Sequence, residues 1–224
     1  MVAVSAEGAA LCYRTICAEG AAALGPHDHP EITLHATPLA RYVEHLDAGR
    51  WDEIGLLLLA SAEKLARAGA ELLVCPDNTV HPAIDAIRAA SPRPWLHIAE
   101  EVADVAAARG LRALGVLGTR TLMEGPVYPA RLAAKGIAHR IPDAAARERI
   151  DRIIFDELVY GRFEEPARAA FCAVIDGFAR SGCDGVVLGC TEIPLLVGPA
   201  DSALPLLDST RILARAALRE ATRA

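Results

Sequence analysis

A thiol that could move a proton or attack a substrate follows the apolar run 186–188 and one glycine. This thiol is Cys190, and Thr191 and Glu192 come directly after it. If the run is a strand, Cys190 lies where a strand ends and a helix begins, and the amide dipoles there favour a thiolate. The position therefore suits a base or a nucleophile. An ordinary buried cysteine is the alternative that the residue type alone allows.

A carboxyl group occupies the matching place after another apolar run, 72–75. This group is Asp77, and Asn78 and Thr79 follow it as candidate substrate ligands. The same three side chains are good turn and helix-capping residues, since each can bond a neighbouring amide. His81, on the first turn of the next predicted helix, could orient this cluster, act as an acid or lie on the surface. Chemistry and capping are both open interpretations of this segment.

A third strand end, after 114–117, carries Thr119, Arg120 and Thr121. Hydroxyl groups and the free amides of a helix start make a natural seat for a carboxylate, so we predict that these residues bind one. Three histidines also lie near one another, at His27, His29 and His35. They lack metal-ligand spacing and an obvious acidic partner, so we predict loop and strand residues and no metal site there.

The elements that must position these groups alternate between short apolar runs and longer helical stretches. This alternation is typical of βαβ units around a parallel sheet. Strands are predicted at 32–35, 72–75, 114–117 and 186–188, with a short one at 2–4. Apolar residues at helical spacing predict helices at 52–68, 144–160 and 165–180.

Two stretches about half a chain apart resemble each other, and they contain the two reactive groups. Residues 70–79 and 183–192 each combine a buried strand with a polar cluster that should begin the next helix. We therefore predict two α/β halves of like architecture. Each half would offer one reactive group at the carboxyl end of a strand, where open α/β sheets bind ligands. Parallel strands also look alike without any such relation, and that alternative stays open.

Composition argues against several classes of protein. With 224 residues, 53% of them hydrophobic, the chain can bury a full core as one domain or as two of about 100 residues each. A net charge of −6 and scattered basic residues argue against nucleic acid binding. No apolar stretch approaches the roughly 18 residues of a membrane span and no signal sequence is recognisable, so we expect a soluble, cytoplasmic protein. The six cysteines lack paired spacing, which favours neither a disulfide framework nor a zinc site.

Four motifs in register resemble the aspartate/glutamate racemase superfamily and together span nearly the whole chain. They are Asn78-Thr79-x-His81; Gly118-Thr119-Arg120 with Met123, Glu124 and Tyr128; Gly189-Cys190-Thr191-Glu192; and Pro-Leu-Leu-Asp-Ser-Thr at 205–210. The resemblance implies two pseudo-symmetric α/β domains, each a mostly parallel sheet flanked by helices, with the active site in the interdomain cleft. It also implies a homodimer that needs neither pyridoxal phosphate nor a metal. The first domain would comprise 1–103 with 206–224, and the second 104–205.

This chain departs from the family at one of its two reactive positions. Members use two cysteines on opposite sides of the substrate α-carbon, one to remove the proton and the other to deliver a replacement. Cys190 matches the second cysteine, whereas Asp77 stands at the first. Cys75 is not at the family position, and we predict a packed strand residue. An ordinary carboxyl pKa of about 3.9 lies far below a thiol pKa of about 8.5, so Asp77 should abstract and Cys190 donate at neutral pH.

A second departure concerns the substrate. Racemases of acidic amino acids often carry a lysine where this chain has Tyr160. We therefore predict a substrate whose distal group is neutral or smaller, or one that Arg41 or Arg162 binds. Glu7, in a stretch that replaces the usual turn near the start, could meet a cationic or amino group. It could equally be a simple acidic residue at a helix start.

The sequence thus predicts an isomerase of the racemase or epimerase type, acting on an amino acid or another small carboxylate through Asp77 and Cys190. Two other classes of function stay open. One is a related decarboxylase or cis-trans isomerase of a dicarboxylate, with Cys190 as acid or nucleophile. The other is a non-catalytic binder of small carboxylates that lost the pair of cysteines.

Overall fold

The computed structural model describes residues 1–223, and it has the α/β architecture that the sequence predicts. Two compact units are present: residues 1–98 with the C-terminal segment from Thr210, and residues 99–209. In each unit the paired strands are parallel, as expected for strands connected through helices. The predicted fold class is confirmed.

The elements have these bounds in chain order. The strands are β1 (Val2–Ala3), β2 (His35–Ala36), β3 (Leu73–Val74), β4 (Trp95–Leu96), β5 (Ala113–Leu117), β6 (Ala138–Arg140), β7 (Gly185–Leu188) and β8 (Leu206–Asp208). The helices are α1 (Ala6–Leu24), α2 (Leu39–Asp47), α3 (Trp51–Arg67), α4 (His81–Ile87), α5 (Ile98–Ala108), α6 (Arg120–Glu124), α7 (Pro129–Ala133), α8 (Ala144–Asp156), α9 (Glu165–Arg180), α10 (Ile193–Leu196) and α11 (Ser209–Ala221). Short 3₁₀ helices cover Leu158–Tyr160 and Pro199–Asp201. None of the described helices combines the length and apolarity needed to cross a membrane.

The first unit contains two parallel ladders, β1 with β2 and β3 with β4. α3 packs against them because its apolar residues recur at helical spacing and so form one face. The buried members of that face are Ile54, Leu58, Ala62 and Leu65, in one cluster with Val2 and Leu73. The spacing that forms this face is the one that predicted the helix, and the observed helix begins one residue earlier than expected.

The second unit is built on one parallel sheet with strand order β6-β5-β7-β8. The central strands β5 and β7 are almost wholly buried, as strands covered by helices on both faces must be. α9 packs over this pair through Phe171, Ile175 and Phe178. Because Leu117 pairs with Leu188, the chain leaves β5 and β7 at the same edge of the sheet.

The structure corrects two predicted elements. The predicted strand at 32–35 is wrong except at its last residue, since β2 begins only at His35. Leu34 is 46% exposed, so the apolar run there does not share one buried face. The predicted helix 144–160 ends as an α-helix at Asp156, because the backbone of Glu157 leaves the helical region (φ −126°).

Three strands escaped sequence analysis, and each for a local reason. β4 has only two residues, and β8 is a three-residue strand close behind a proline. β6 lies at the edge of its sheet with all three side chains exposed, so it carries no apolar pattern. Very short or edge strands lack the periodicity on which strand prediction rests.

Candidate active site

The segment between β3 and α4 holds Asp77 as a half-buried carboxylate. Its Oδ1 accepts a hydrogen bond from the backbone N–H of Val80, 3.2 Å away. The capping chemistry expected from Asp-Asn-Thr is therefore present, and a backbone donor favours the charged form of a carboxylate. Asn78 is 2% exposed, while Thr79 is half-buried. The segment thus presents one anchored carboxylate together with two polar neighbours.

His81 lies beneath this segment and not on the surface. Its side chain is fully buried, and Nε2 is 3.1 Å from the carbonyl oxygen of Cys75. Because a carbonyl oxygen only accepts, Nε2 must carry the hydrogen. The ring also meets that of His97 edge to face, with centroids 4.3 Å apart and an interplanar angle of 76°. Of the roles that the sequence left open, these contacts favour orientation of the cluster.

Cys75 is a packed strand-end residue, as expected. Burial raises the pKa of its thiol well above the usual value, and the charge of neighbouring Asp77 adds to the increase. A thiol in this state stays protonated at neutral pH, so it is a poor base. Tyr42 of α2 is fully buried nearby, and burial raises its pKa too, with smaller contributions from Cys75 and Asp77.

In the second unit, Cys190 follows β7 and donates a hydrogen bond to a buried carboxylate. Its Sγ is 2.9 Å from Oε2 of Glu192, and Oγ1 of Thr191 donates to the same oxygen at 2.8 Å. All three residues are less than 10% exposed. In this arrangement the proton resides on the sulfur. The other oxygen of Glu192, Oε1, is buried and has no hydrogen-bond partner within residues 1–223.

The strand ends of β5 and β7 approach so closely that only glycine fits at one position. The amide of Gly189 donates to the carbonyl oxygen of Leu117 at 2.7 Å. A Cβ at Gly189 would lie 2.8 Å from that same oxygen, closer than a carbon atom can pack. Since Leu117 and Leu188 pair, Thr119 and Cys190 occupy equivalent places two residues beyond the ladder. The register therefore brings the predicted carboxylate seat beside the thiol.

The members of that predicted seat differ in environment. Thr119 is buried and caps α6, its hydroxyl accepting from the amide of Leu122 at 3.2 Å. Arg120 and Thr121 are exposed. The backbone amide of Arg120 donates to the carboxylate of Asp151 at 2.6 Å.

The residues predicted to bind the distal group of a substrate are distant in sequence from the segments that contain Asp77 and Cys190. Glu7 is half-buried in the first turn of α1, and Arg41 is exposed on α2. Tyr160 is 75% exposed, and the guanidinium of Arg162 donates to the backbone carbonyl of Asp156. Sequence analysis missed Tyr42 and His97. The apolar periodicity of α2 signals that Tyr42 is buried, but nothing local to His97 signals its partner.

Within residues 1–223 no disulfide joins any of the six cysteines, and no group of three His, Cys, Asp or Glu side chains is arranged to hold a metal. Two of the three neighbouring histidines make other contacts. Nδ1 of His29 lies 2.9 Å from the carbonyl of Pro30. Nδ1 and Nε2 of His35 lie 3.1 Å from the Ser61 hydroxyl and 3.0 Å from the Lys64 ammonium.

Comparison with known proteins gives one consistent result. The profile of the family described as "Asp/Glu/Hydantoin racemase" matches residues 4–217. The curated broad specificity amino-acid racemase RacX of Bacillus subtilis (strain 168) is 22% identical over 191 residues, 84% of this chain and 80% of that protein. A structure from Yersinia pestis, described as a candidate Asp/Glu racemase, superposes with a TM-score of 0.88 and 35% identity, over 99% of this chain and 98% of that one. An aspartate racemase homologue from Pyrococcus horikoshii OT3 gives 0.85 and 27%, with the same coverage.

Proposed function

Since this chain belongs to the Asp/Glu/Hydantoin racemase family, we propose that it inverts the α-carbon of an amino acid, with Asp77 and Cys190 as the proton-transfer pair. Racemases are isomerases, so the class of enzyme follows from the family, and the resemblance seen in the sequence is confirmed. The proposal concerns two further points, namely that Asp77 and Cys190 transfer the protons and that the substrate is an amino acid.

The observation that carries this proposal is the opposite hydrogen-bonding sense of the two groups. Asp77 accepts from a backbone amide, whereas Cys190 donates to a carboxylate. One group is thus held as a proton acceptor and the other as a proton donor. A base and an acid are what inversion at an acidic C–H bond requires.

The reaction then balances in a simple way. Asp77 takes the α-proton, and the electrons of the C–H bond move onto the substrate carboxylate. Cys190 delivers its proton to the other face of the carbon and becomes a thiolate, while Asp77 is left protonated. The opposite enantiomer uses the same two groups with their roles exchanged, the thiolate abstracting and the Asp77 carboxyl donating. Proton exchange with water returns the pair to its starting state.

The buried carboxylate of Glu192 makes the two directions unequal. Its Oε2 stands 2.9 Å from the sulfur of Cys190, so a thiolate there would meet a negative charge at close range. Like charges at such a distance disfavour ionisation. Cys190 therefore keeps its proton in the resting enzyme, which is the state needed when Asp77 abstracts, so the direction that begins with abstraction by Asp77 should have the higher kcat.

The substrate that fits these clusters carries an ammonium group and a carboxylate. A buried carboxylate oxygen without a donor is costly, so we infer that a substrate ammonium group bonds Oε1 of Glu192. The hydroxyls and amides of Asn78, Thr79, Thr119 and Thr191 would seat the carboxylate, with Arg120 and Thr121 as further ligands. His81, which the family resemblance also suggests as a ligand, is fully buried and bonded to the Cys75 carbonyl, so it would orient this segment instead. Arg41, Arg162 or Glu7 would then meet the distal group.

The relatives support an amino-acid substrate without fixing which one. The Bacillus subtilis relative is named for broad specificity, whereas the archaeal homologue is named for aspartate. Tyr160 in place of a lysine favours a neutral or small side chain. We further infer a homodimer that works in the cytoplasm, which light scattering of the purified protein and fractionation of cells would test.

Incubation with paired L- and D-amino acids in deuterated water tests the function directly. We expect the Hα proton NMR signal to disappear and chiral chromatography to reveal the opposite enantiomer. Release of carbon dioxide or a shifted alkene from a dicarboxylate would instead establish a lyase or a cis-trans isomerase. A carboxylate that raises the melting temperature, with no exchange at Cα for any amino acid, would establish a binding protein.

A further inference from the structure

We propose that His81 and His97 form a buried pair of positioning residues that fixes the Asp77 segment from beneath. The inference rests on the proposed role of Asp77, because it identifies residues that act through that group. Neither imidazole is placed in contact with the substrate.

The pair sits where the β3–β4 ladder ends. Val74 pairs with Leu96, so Cys75 and His97 are the next residues on neighbouring strands. The paired positions of the ladder stop there, and the carbonyl of Cys75 is instead bonded by Nε2 of His81 at 3.1 Å. The side chain of His81 thus supplies a hydrogen bond to the strand end at the point where the strand pairing stops.

His97 holds His81 in the orientation that this hydrogen bond requires. The two rings meet edge to face at 4.3 Å, and both side chains are at most 1% exposed. Edge-to-face contact restricts rotation of a ring that would otherwise turn its Nε2 away from the carbonyl. His97 therefore acts on the Asp77 segment through His81.

The carboxylate of Asp85 also lies near this histidine pair. It lies one helical turn after His81, on the same face of α4. Its Oδ1 is 3.7 Å from Nε2 of His97, which is an electrostatic distance and too long for a direct hydrogen bond. The carboxylate favours the orientation of the second ring in which Nε2 faces it.

Polarity at these positions needs a reason, because two apolar rings would fill the same space without a desolvation cost. Burying an imidazole is unfavourable unless its nitrogen atoms are bonded. The chain places two of them against the segment that carries the candidate base, one bonded to the Cys75 carbonyl and the other in contact with the first ring. That segment is fixed at two points, the Cys75 carbonyl by His81 and the Asp77 carboxylate by the Val80 amide. A base held at two points keeps its oxygen within the narrow range that proton transfer demands.

The test uses variants that separate the donor from the ring. His81→Gln keeps an N–H donor, His81→Phe keeps the ring, and His97→Leu removes the ring contact. His97→Phe retains that contact, and exposed His139→Leu in the other unit is the control. Two measurements are made on each variant: kcat and KM for the best substrate, and hydrogen exchange of residues 75–81 by mass spectrometry.

We expect His81→Phe and His97→Leu each to lower kcat about tenfold with little change in KM, since the base is misplaced and substrate binding is not. The double variant should lose no more than the worse single one, because both act through one hydrogen bond. Exchange in 75–81 should quicken in the same two variants. His81→Gln, His97→Phe and the control should stay near wild type in both measurements.

Additive losses in the double variant, or unchanged exchange in 75–81, would overturn the inference. If His81→Phe does not fold, His97→Leu against His97→Phe decides the matter alone. Should the wild type racemise no amino acid, the proposed function fails, and the exchange measurement still decides whether the pair fixes this segment.

Discussion

The segment after β3 and the segment after β7 both begin at strand ends, yet the hydrogen bonds of their candidate reactive groups run in opposite directions. Asp77 is half-buried and receives a hydrogen bond from a backbone amide. Cys190 is almost completely buried and gives a hydrogen bond to the carboxylate of Glu192. The first environment favours a charged acceptor, whereas the second favours a neutral donor.

Two residues that each follow a buried parallel strand therefore have different hydrogen-bonding environments. The Asp77 carboxylate accepts from the backbone amide of Val80, and this hydrogen bond favours its charged form. A thiol beside a carboxylate keeps its proton, because loss of that proton would place two negative charges about one hydrogen-bond length apart. A carboxylate at position 77 and a thiol at position 190 therefore agree with the proposal that Asp77 acts as the base and Cys190 as the acid.

Removal of either Asp77 or Cys190 should change activity most. Asp77→Asn and Cys190→Ala should each lower kcat by about 10²–10⁴-fold, the usual contribution of a positioned acid or base. Both variants should still bind substrate, as measured by calorimetry. Cys183→Ala is the matched control, since it removes a buried thiol of the same unit that follows α9 and precedes β7. Near wild-type kcat in either variant would mean that the two segments do not act as a pair.

The next effect concerns the carboxylate that accepts from Cys190. Glu192→Gln should bring kcat for the two enantiomers about tenfold closer together, because a thiolate at Cys190 would no longer meet a negative charge and one pKa unit corresponds to a factor of ten. It should also weaken binding of the amino acid more than binding of the matching deaminated acid, which has no ammonium group. Thr191→Val, which removes the second donor to the same oxygen, should do less on both counts. Equal losses of affinity for the two ligands would show that Glu192 does not meet the ammonium group.

A smaller change should follow from making the two segments alike. Asp77→Cys places a thiol in each, and groups of similar proton affinity should bring kcat for the two enantiomers to within about threefold of each other. The measurement is kcat for each enantiomer. The quotient kcat/KM cannot reveal the asymmetry, because an equilibrium constant of one makes it equal for the two enantiomers. Values that stay as far apart as in the wild type would show that the surroundings, and not the residue at 77, set the asymmetry.

A substitution at Glu19 should change the stability of the protein slightly and leave its catalytic activity unchanged. Glu19 of α1 accepts three hydrogen bonds from the guanidinium of Arg215 on α11, and this hydrogen bonding lowers the pKa of Glu19. A lowered folded-state pKa stabilises the protein above the unfolded-state pKa, and that stabilisation is lost as the pH falls through the folded-state pKa. Glu19→Gln should therefore reduce the free energy of unfolding at pH 7 by about 0.2–1 kcal/mol, the range for a partly exposed pair.

Urea unfolding at several pH values checks this expectation. The difference between Glu19→Gln and wild type should shrink as the solution becomes more acidic than about pH 4.5, and kcat should not change. A difference that is constant from pH 7 to pH 3 would show that the pair adds nothing that depends on the charge of Glu19. A fall in kcat would mean that contacts between α1 and α11 influence the reactive segments.

Much of the architecture was readable in the sequence because it follows from local pattern. The helix at 165–180 and the strands at 114–117 and 186–188 have periodicity or apolar runs that survive in the structure. The strand predicted at 32–35 failed because an apolar run predicts burial only if its side chains share a face. Strands such as β4 and β6 form only by pairing with a neighbouring strand, and their own sequences contain no periodicity that predicts them.

The family and the identity of the candidate reactive groups follow from the order of the motifs and the residue types, which are properties of the chain. The direction of the hydrogen bonds and the neighbours of each group depend on how distant segments pack. Register between distant segments places His97 beside Cys75 and Thr119 beside Cys190. A hydrogen bond depends on distance and direction within fractions of an ångström, and those are set only when the strands have paired and the helices have packed.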